Sequence, residues 1–332
     1  FKYGAVPFDE IKLEHFMPAI DYAISKANKT INEIKSNSNP PSFDNTSLQM
    51  ETCTELLDYV VSIYFNLTGA ESDNTFKELA QEISPKLSSF HNEIILDSKL
   101  FERIKYVYDN MDNENLNNEQ KRLVSETYKN FILNGALLSA EDKDKVKEID
   151  SELSKLSPKY SQNTLNATNE FTYFTDNESE LEGIPELAKN QAAEVALSKN
   201  KKQGWMFTLQ MPSYIPVMQY AKNRNLRQKM LIEYGKIALG GKFDNQEIIK
   251  KIVLLRSEKA CLLGFKDHAD YTLQKRMAEN TETVMNFLNR LYDVYYPSAK
   301  DDLEEIKEFA KKDGIEKIQP WDFSYYSQKL KK

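Results

Sequence analysis

The sequence predicts a mainly α-helical protein that contains one small pair of strands. Glycine is scarce, with 10 residues in 332, and there are 11 prolines. An ordinary protein has about 7% glycine, so this composition favours long helices over tight turns. Apolar residues recur three and four positions apart through most of the chain, which is the spacing of a helix with one buried face. Only one segment, 166–210, has a different pattern.

The N-terminal half is predicted to be an array of helices joined by short Asp-, Asn- and Ser-rich connections that can also cap helix ends. The first helix is predicted to open at Pro7-Phe8-Asp9 and to run to about Lys35. Further helices are predicted from about Ser47 and at 73–92, 97–110, 116–133 and 139–165. No regular internal period is present, which argues against a repeat solenoid.

The exceptional segment holds two runs rich in aromatic and β-branched residues, at 171–175 and 205–209. Such runs are typical of strands. We expect them to pair as an antiparallel hairpin-like element, with a helix near Pro185–Ser198 between them. The predicted fold class is therefore all-α in the main. Three segments follow: an N-terminal helical domain (1–165), a strand–helix–strand insertion (166–210) and a further helical domain (211–332).

The longest apolar helix of the last segment is predicted at 244–263. Its apolar residues cover about half of the helix circumference, so we expect neighbours on more than one face and a place in the middle of a large core. Asp244 is expected to cap its start, and Gly264 to end it in a left-handed conformation. Asp267 then caps a new helix. Other helices of this segment are predicted to begin near Ser213 and Trp321 and to cover 224–239, 267–275 and 281–311.

Two cations, Arg256 and Lys259, project into the apolar stripe of that helix. An unpaired charge there would cost several kcal/mol. One interpretation is that their stems pack and their charged ends meet carboxylates of a neighbouring helix. The other is that they line a polar channel or ligand site. We favour the structural interpretation, since structural ion pairs outnumber functional sites.

Charge and composition exclude several classes of protein. The net charge is −7, from 51 acidic and 44 basic residues that are well interspersed. A nucleic-acid-binding protein would show a clustered basic face. No run approaches the roughly 18 apolar residues of a membrane span, so a soluble protein is expected. Its compartment stays open between cytoplasm and periplasm, because the chain begins at Phe1 without methionine and a leader can have been removed.

No arrangement of residues in the chain predicts a catalytic site or a metal site. Zinc catalysis on a helix requires His-Glu-x-x-His, which places two imidazoles on one face. The three histidines, His15, His91 and His268, are far apart, and we interpret His15 and His268 as core or capping residues. Cys53 and Cys261 are expected to be buried free thiols rather than ligands. The catalytic and metal residues are therefore predicted to be none, and substrate contacts are unknown.

Several short segments, taken together and in this order, resemble the thimet oligopeptidase family of zinc metallopeptidases, and most of all its peptidyl-dipeptidase (dipeptidyl carboxypeptidase) branch. They extend over essentially the whole chain. The segments are 7–20 (PFDEIKLEHFMPAI), 84–87 (SPKL), 100–104 (LFERI), 131–136 (FILNGA), 181–185 (LEGIP), 208–213 (TLQMPS), 255–265 (LRSEKACLLGF) and 320–322 (PWD).

The resemblance implies a helical, two-lobed enzyme with a narrow channel, and a zinc ion held by His-Glu-x-x-His and a downstream glutamate. None of those ligands has a counterpart here. We therefore expect this chain to be the N-terminal part of a peptidase that hydrolyses short peptides and releases C-terminal dipeptides. It would form part of the substrate channel and lack the zinc site, and alone it is predicted to be inactive and free of zinc. Its expected partners are short unstructured peptides and the missing C-terminal catalytic half. The alternative is a non-enzymatic helical scaffold or peptide-binding protein.

Overall fold

The computed structural model describes residues 5–70 and 73–331 of the chain and is mainly α-helical, as the sequence predicts. The helices up to the strand pair are α1 (Phe16–Ser36), α2 (Leu48–Thr52), α3 (Glu55–Ala70), α4 (Asn74–Ile95), α5 (Ser98–Asn110), α6 (Asn118–Leu133) and α7 (Ala140–Glu170). The later ones are α8 (Glu186–Ser198), α9 (Met211–Tyr220), α10 (Arg224–Gly235), α11 (Gln246–Leu262), α12 (His268–Leu273), α13 (Thr281–Lys312) and α14 (Pro320–Leu330).

The predicted strand pair is confirmed. Strand β1 (Thr172–Thr175) pairs antiparallel with β2 (Trp205–Thr208), so that Thr172 faces Thr208 and Thr175 faces Trp205. Helix α8 lies between the strands in sequence, at the predicted place. Gly204, immediately before β2, has φ +99°, and a Cβ there would lie 2.7 Å from the Thr175 carbonyl oxygen. The hairpin therefore needs glycine at this position.

The chain divides into two compact units, and neither is a continuous segment. Unit 1 comprises Phe1–Lys159 and Ile252–Tyr271, and unit 2 comprises Tyr160–Lys251 and Thr272–Lys332. The chain thus passes from one unit to the other three times, within α7, within α11 and within α12.

The core of unit 1 is formed by the buried faces of α1, α3, α4, α5 and α6. Fully buried members include Ile20, Tyr64, Ile83 and Leu100. They recur at helical spacing, as on α1, where Phe16, Ile20, Ala23, Ala27, Ile31 and Ile34 are all buried. Burying one such side chain contributes about 1.5–3 kcal/mol, so this stripe alone anchors α1.

Unit 2 has two apolar clusters. The larger joins α8, α9 and α10 to the sheet through buried side chains that include Leu181, Phe207, Leu209 and Met230. The smaller lies where α13 meets α14 and contains Ile306, Ala310, Tyr325 and Tyr326. Only the C-terminal part of α13 takes part in this cluster.

The predicted start of the first helix is wrong. Helix α1 begins at Phe16, after a short 3-10 turn at Leu13–His15. Proline is tolerated only in the first turn of a helix, because it lacks an N–H and its ring clashes with the preceding turn. Pro18 is the third residue of α1, and a helix that began at Pro7 would have placed it in the interior.

The expectation that α11 lies in the middle of a core is also wrong. Its end is as predicted, since Gly264 has φ +83° and Asp267 accepts a hydrogen bond from the Asp270 amide at 2.9 Å. However, Ala260 is its only buried residue, and Val253 and Leu254 are 59% and 69% exposed. The apolar residues of a helix show which surface it can bury, not which surface it does bury. In the described part of the chain, only one side of α11 packs against other residues.

Candidate functional site

The three histidines lie in separate places in unit 1. His15 ends the 3-10 turn, and its Nδ1 accepts a hydrogen bond from the Lys12 amide at 3.1 Å. Its side chain therefore caps the 3-10 turn, and it makes no side-chain cap hydrogen bond at the start of α1. His91 is exposed on α4, and His268 is the half-buried first residue of α12.

The donor set does not fit a zinc centre. In residues 5–70 and 73–331, no group of three His, Cys, Asp or Glu side chains is placed so that it could hold a metal ion. Both cysteines are free thiols, but Cys261 is exposed, contrary to the prediction that it is buried. Cys53 is half-buried, and burial raises the pKa of its thiol to about 11, which keeps it protonated and a poor ligand.

Lys259 has the partner that the structural interpretation requires. Its Nζ lies 2.5 Å from Oδ1 of Asp150 on α7, and both side chains are largely buried. Arg256 is exposed on the same helix. Burial, followed by the charges of Arg256 and Lys259, lowers the pKa of His268. The charge of Asp267 opposes this shift without cancelling it.

A buried ion cluster in unit 2 is the strongest charged feature that the sequence analysis missed. Asp322, fully buried in the first turn of α14, accepts hydrogen bonds from Arg224 Nη2 at 2.7 Å and Arg227 Nη2 at 2.8 Å. Arg227 is 2% exposed and also donates to the carbonyl oxygens of Ala221 and Trp321. The signal was present, since two arginines three residues apart share a helix face.

Two buried cations in unit 1 were also missed. Arg103 donates to the carbonyl oxygen of Asn37 at 2.9 Å, at the C-terminal end of α1. Lys143 donates to the carbonyl oxygen of Leu96 at 3.0 Å, at the C-terminal end of α4. Burial lowers the pKa of both groups. Each cation satisfies carbonyls that a helix end leaves unpaired, so their role is structural.

The N-terminal half of α13 carries a wide exposed apolar surface, which we name the α13 surface. At 100° per residue its side chains span an arc of about 200°, and each is between 43% and 64% exposed. Its members are Met285, Phe287, Leu288, Tyr292, Val294, Tyr295 and Tyr296. A helix with so wide an apolar arc is normally covered by neighbours.

Comparison with known proteins gives this geometry a context. Residues 217–332 match peptidase family M3. The match contains α10 to α14, and with them the ion cluster and the α13 surface. The family is one of zinc metallopeptidases, which agrees with the resemblance seen in the sequence.

The relatives are peptidases by name. Over 335 residues, the chain is 32% identical to oligopeptidase A of Salmonella typhimurium, and the alignment covers 99% of this chain and 49% of that protein. It is 29% identical to the dipeptidyl carboxypeptidase of Escherichia coli, again over 99% and 49% of the two chains. Saccharolysin of Saccharomyces cerevisiae is 28% identical over 79% of this chain. The chain spans about half the length of the curated relatives it matches, and these matches support membership of the M3 family.

The described part of the chain holds no helix with the length and apolar character that crossing a membrane requires.

Proposed function

We propose that this chain is the N-terminal portion of a zinc metallopeptidase of family M3 that hydrolyses short peptides. In this proposal the zinc ligands belong to a portion of the enzyme that the chain does not contain. The chain contributes helices to the substrate channel, and its own residues bind no catalytic metal. The three-part division into 1–165, 166–210 and 211–332 remains part of the proposal.

The observation that carries the proposal is the extent of the similarity. It covers 99% of this chain but only 49% of oligopeptidase A and of the E. coli dipeptidyl carboxypeptidase. Both names denote peptide hydrolysis, and both proteins contain about as much polypeptide again as this chain.

The α13 surface supplies independent support. An apolar arc of about 200° that is left in water costs free energy in proportion to its area. Monomeric proteins rarely expose large contiguous apolar patches unless another polypeptide covers them. We infer that the α13 surface packs against the portion of the peptidase that carries the zinc ligands.

The products of the reaction are a finer part of the proposal. The sequence resemblance favours the peptidyl-dipeptidase branch, which implies release of C-terminal dipeptides. The identities of 32% to oligopeptidase A and 29% to dipeptidyl carboxypeptidase are close, and they do not separate the two activities. Digestion of one peptide with a free and with an amidated C-terminus by the longer enzyme would separate them, since a dipeptidyl carboxypeptidase needs the free carboxylate.

The first experiment uses the chain alone. After dialysis against zinc, we expect no stoichiometric zinc by elemental analysis and no hydrolysis of a short quenched-fluorescence peptide. Zinc bound one to one together with chelator-sensitive turnover would refute the proposal.

The second experiment is to read the coding DNA beyond codon 332. We expect a His-Glu-x-x-His motif within about 150 codons. If the reading frame contains no such motif, the non-enzymatic scaffold becomes the better interpretation.

A further inference from the structure

One apolar side of α13 is packed against a helix at one end and lies in water at the other. Ile306 and Ala310 are buried where α13 meets α14. Leu288 and Tyr292 precede them by 18 residues each, which is five whole turns at about 3.6 residues per turn. They therefore project from the same side of the helix, yet they are 48% and 59% exposed.

The exposed part of this side has the spacing of a contact between helices. Met285, Leu288, Tyr292 and Tyr296 recur at intervals of three, four and four residues, and they span about 80° of the helix circumference. Apolar residues at these intervals form ridges that pack into the grooves of a neighbouring helix. We name these four residues the α13 stripe. Because α14 covers the same side of α13 further along, the partner that fits the stripe is another helix.

A second apolar side of α13 lies away from the stripe. Phe287 and Val294 are seven residues apart and so share a side, about 150° from the centre of the stripe. They are 51% and 61% exposed. A surface helix buries an apolar arc of roughly 100° against its neighbours. A single helix seated on the stripe would therefore leave Phe287 and Val294 in water, and covering both sides requires a second neighbour.

The remaining sector of this half of α13 is polar. It separates the two apolar sides, its side chains are exposed, and its members are Glu282, Asn286, Asn289, Arg290 and Asp293. A sector of this composition stays in water at low cost. The expected environment of the helix is thus two covered sides and one solvated sector.

The length of the relatives indicates the source of the two neighbours. The alignments to oligopeptidase A and to the E. coli dipeptidyl carboxypeptidase cover 99% of this chain and 49% of each relative. Each relative therefore contains about as much polypeptide again. A second copy of this chain fits less well, because a two-fold pair places the same patch of both copies in contact. A pair formed through the stripe would leave Phe287 and Val294 exposed.

We propose that the N-terminal half of α13 is held between two helices of the portion that carries the zinc ligands. One helix packs on the α13 stripe and continues the contact that α14 begins. The other covers Phe287 and Val294. The inference rests on the proposed function for the identity of the partner, but its test measures the burial of side chains and not catalysis. The two proposals can therefore fail separately.

The test of the stripe uses the unaltered protein. Tetranitromethane nitrates accessible tyrosines, and mass mapping of peptides locates the product. In the chain alone we expect nitration of Tyr292 and Tyr296. In the longer enzyme the rate at both positions should fall at least about tenfold, as buried groups are protected from solvent reagents. Tyr22, which is 66% exposed on α1, is the control and should react at the same rate in both proteins.

The second side is tested with Val294→Cys, a change of similar size. A thiol reagent should modify this position at least about tenfold more slowly in the longer enzyme than in the chain alone, because access controls thiol reactivity. Asp293→Cys, in the polar sector, is the matched control and should react equally in both. Peptide hydrolysis by each variant of the longer enzyme shows that it is folded.

Three results would overturn the proposal. The first is equal nitration of Tyr292 and Tyr296 in the two proteins, and the second is equal reactivity of Val294→Cys. The third is protection in the chain alone that increases with its concentration, which would identify a second copy as the occupant. Protection of both sides in a longer protein that binds no zinc would count against the proposed activity and support the packing.

Discussion

The stability of unit 2 should depend on Asp322 more than on any exposed charge. The substitution Asp322→Asn keeps the shape of the side chain and removes its negative charge. Arg227, which is only 2% exposed, is then left without its counter-ion. Breaking a buried pair on one side costs about 3–5 kcal/mol. Because Arg227 keeps its bonds to three carbonyl oxygens, we expect Asp322→Asn to lower the free energy of unfolding by about 3 kcal/mol, the lower end of that range.

The assay is urea unfolding followed by tryptophan fluorescence. Trp205 and Trp321, the two tryptophans of the chain, both lie in unit 2, so the signal reports that unit. Asp313→Asn, which removes an exposed pair with Lys329, is the matched control and should cost less than about 0.5 kcal/mol. A loss below about 1 kcal/mol for Asp322→Asn, at an unchanged dependence on urea, would refute the reasoning.

The same carboxyl group makes a prediction about pH. Burial opposes its ionisation, but hydrogen bonds from Arg224, the Gln319 amide and Arg227 outweigh burial and lower the pKa of Asp322. A carboxyl whose pKa is lower in the folded state contributes stability above its unfolded pKa of about 3.9, and that stability is lost as the pH falls further. We expect wild-type unit 2 to lose this stability below about pH 4, whereas Asp322→Asn should show a weaker dependence.

Three further outcomes are expected. Gly183 has φ +91°, and a Cβ there would lie 2.3 Å from a carbonyl oxygen of α9. Gly183→Ala should therefore lower the free energy of unfolding by several times the roughly 1 kcal/mol expected for Gly240→Ala, where the added Cβ meets nothing within 4 Å. Urea unfolding measures both losses of stability, and equal losses would contradict the steric argument. With a thiol reagent at pH 8, Cys261 should react rapidly and Cys53 slowly, because the pKa of the buried thiol is about 11; equal rates would contradict this order. The pKa of His268, measured by NMR titration, should lie below its usual value, because burial and two nearby cations disfavour the imidazolium form. Added salt should raise this pKa by screening the two cations. A pKa that does not change with salt would show that those charges do not contribute to the shift.

The features that the sequence predicted well are set by local chemistry. Gly264 and Asp267 end one helix and start the next through bonds within a few residues. The two runs rich in aromatic and β-branched residues form β1 and β2, which pair with each other although α8 lies between them in sequence. Neighbouring residues determine the helix ends, whereas each strand follows from its own composition and from pairing with a partner about 30 residues away.

The features that it missed depend on distant contacts. The partners of Asp322 lie almost 100 residues earlier in the chain, and the i, i+3 spacing of Arg224 and Arg227 showed only that they share a face. The exposure of α11 depends on which neighbours are present.

The division of the chain has a consequence for the order of events on the ribosome. Unit 1 needs residues 252–271, among them Lys259, which binds Asp150, and Tyr271, whose hydroxyl lies 3.0 Å from Asn134 Oδ1. After Lys159, about 110 more residues must be synthesised before residues 252–271 are complete. At about 5–20 residues per second, roughly 5–20 seconds pass between the synthesis of Lys159 and the completion of unit 1. A chaperone that holds nascent chains therefore has an extended opportunity to bind the helices of unit 1 during this interval.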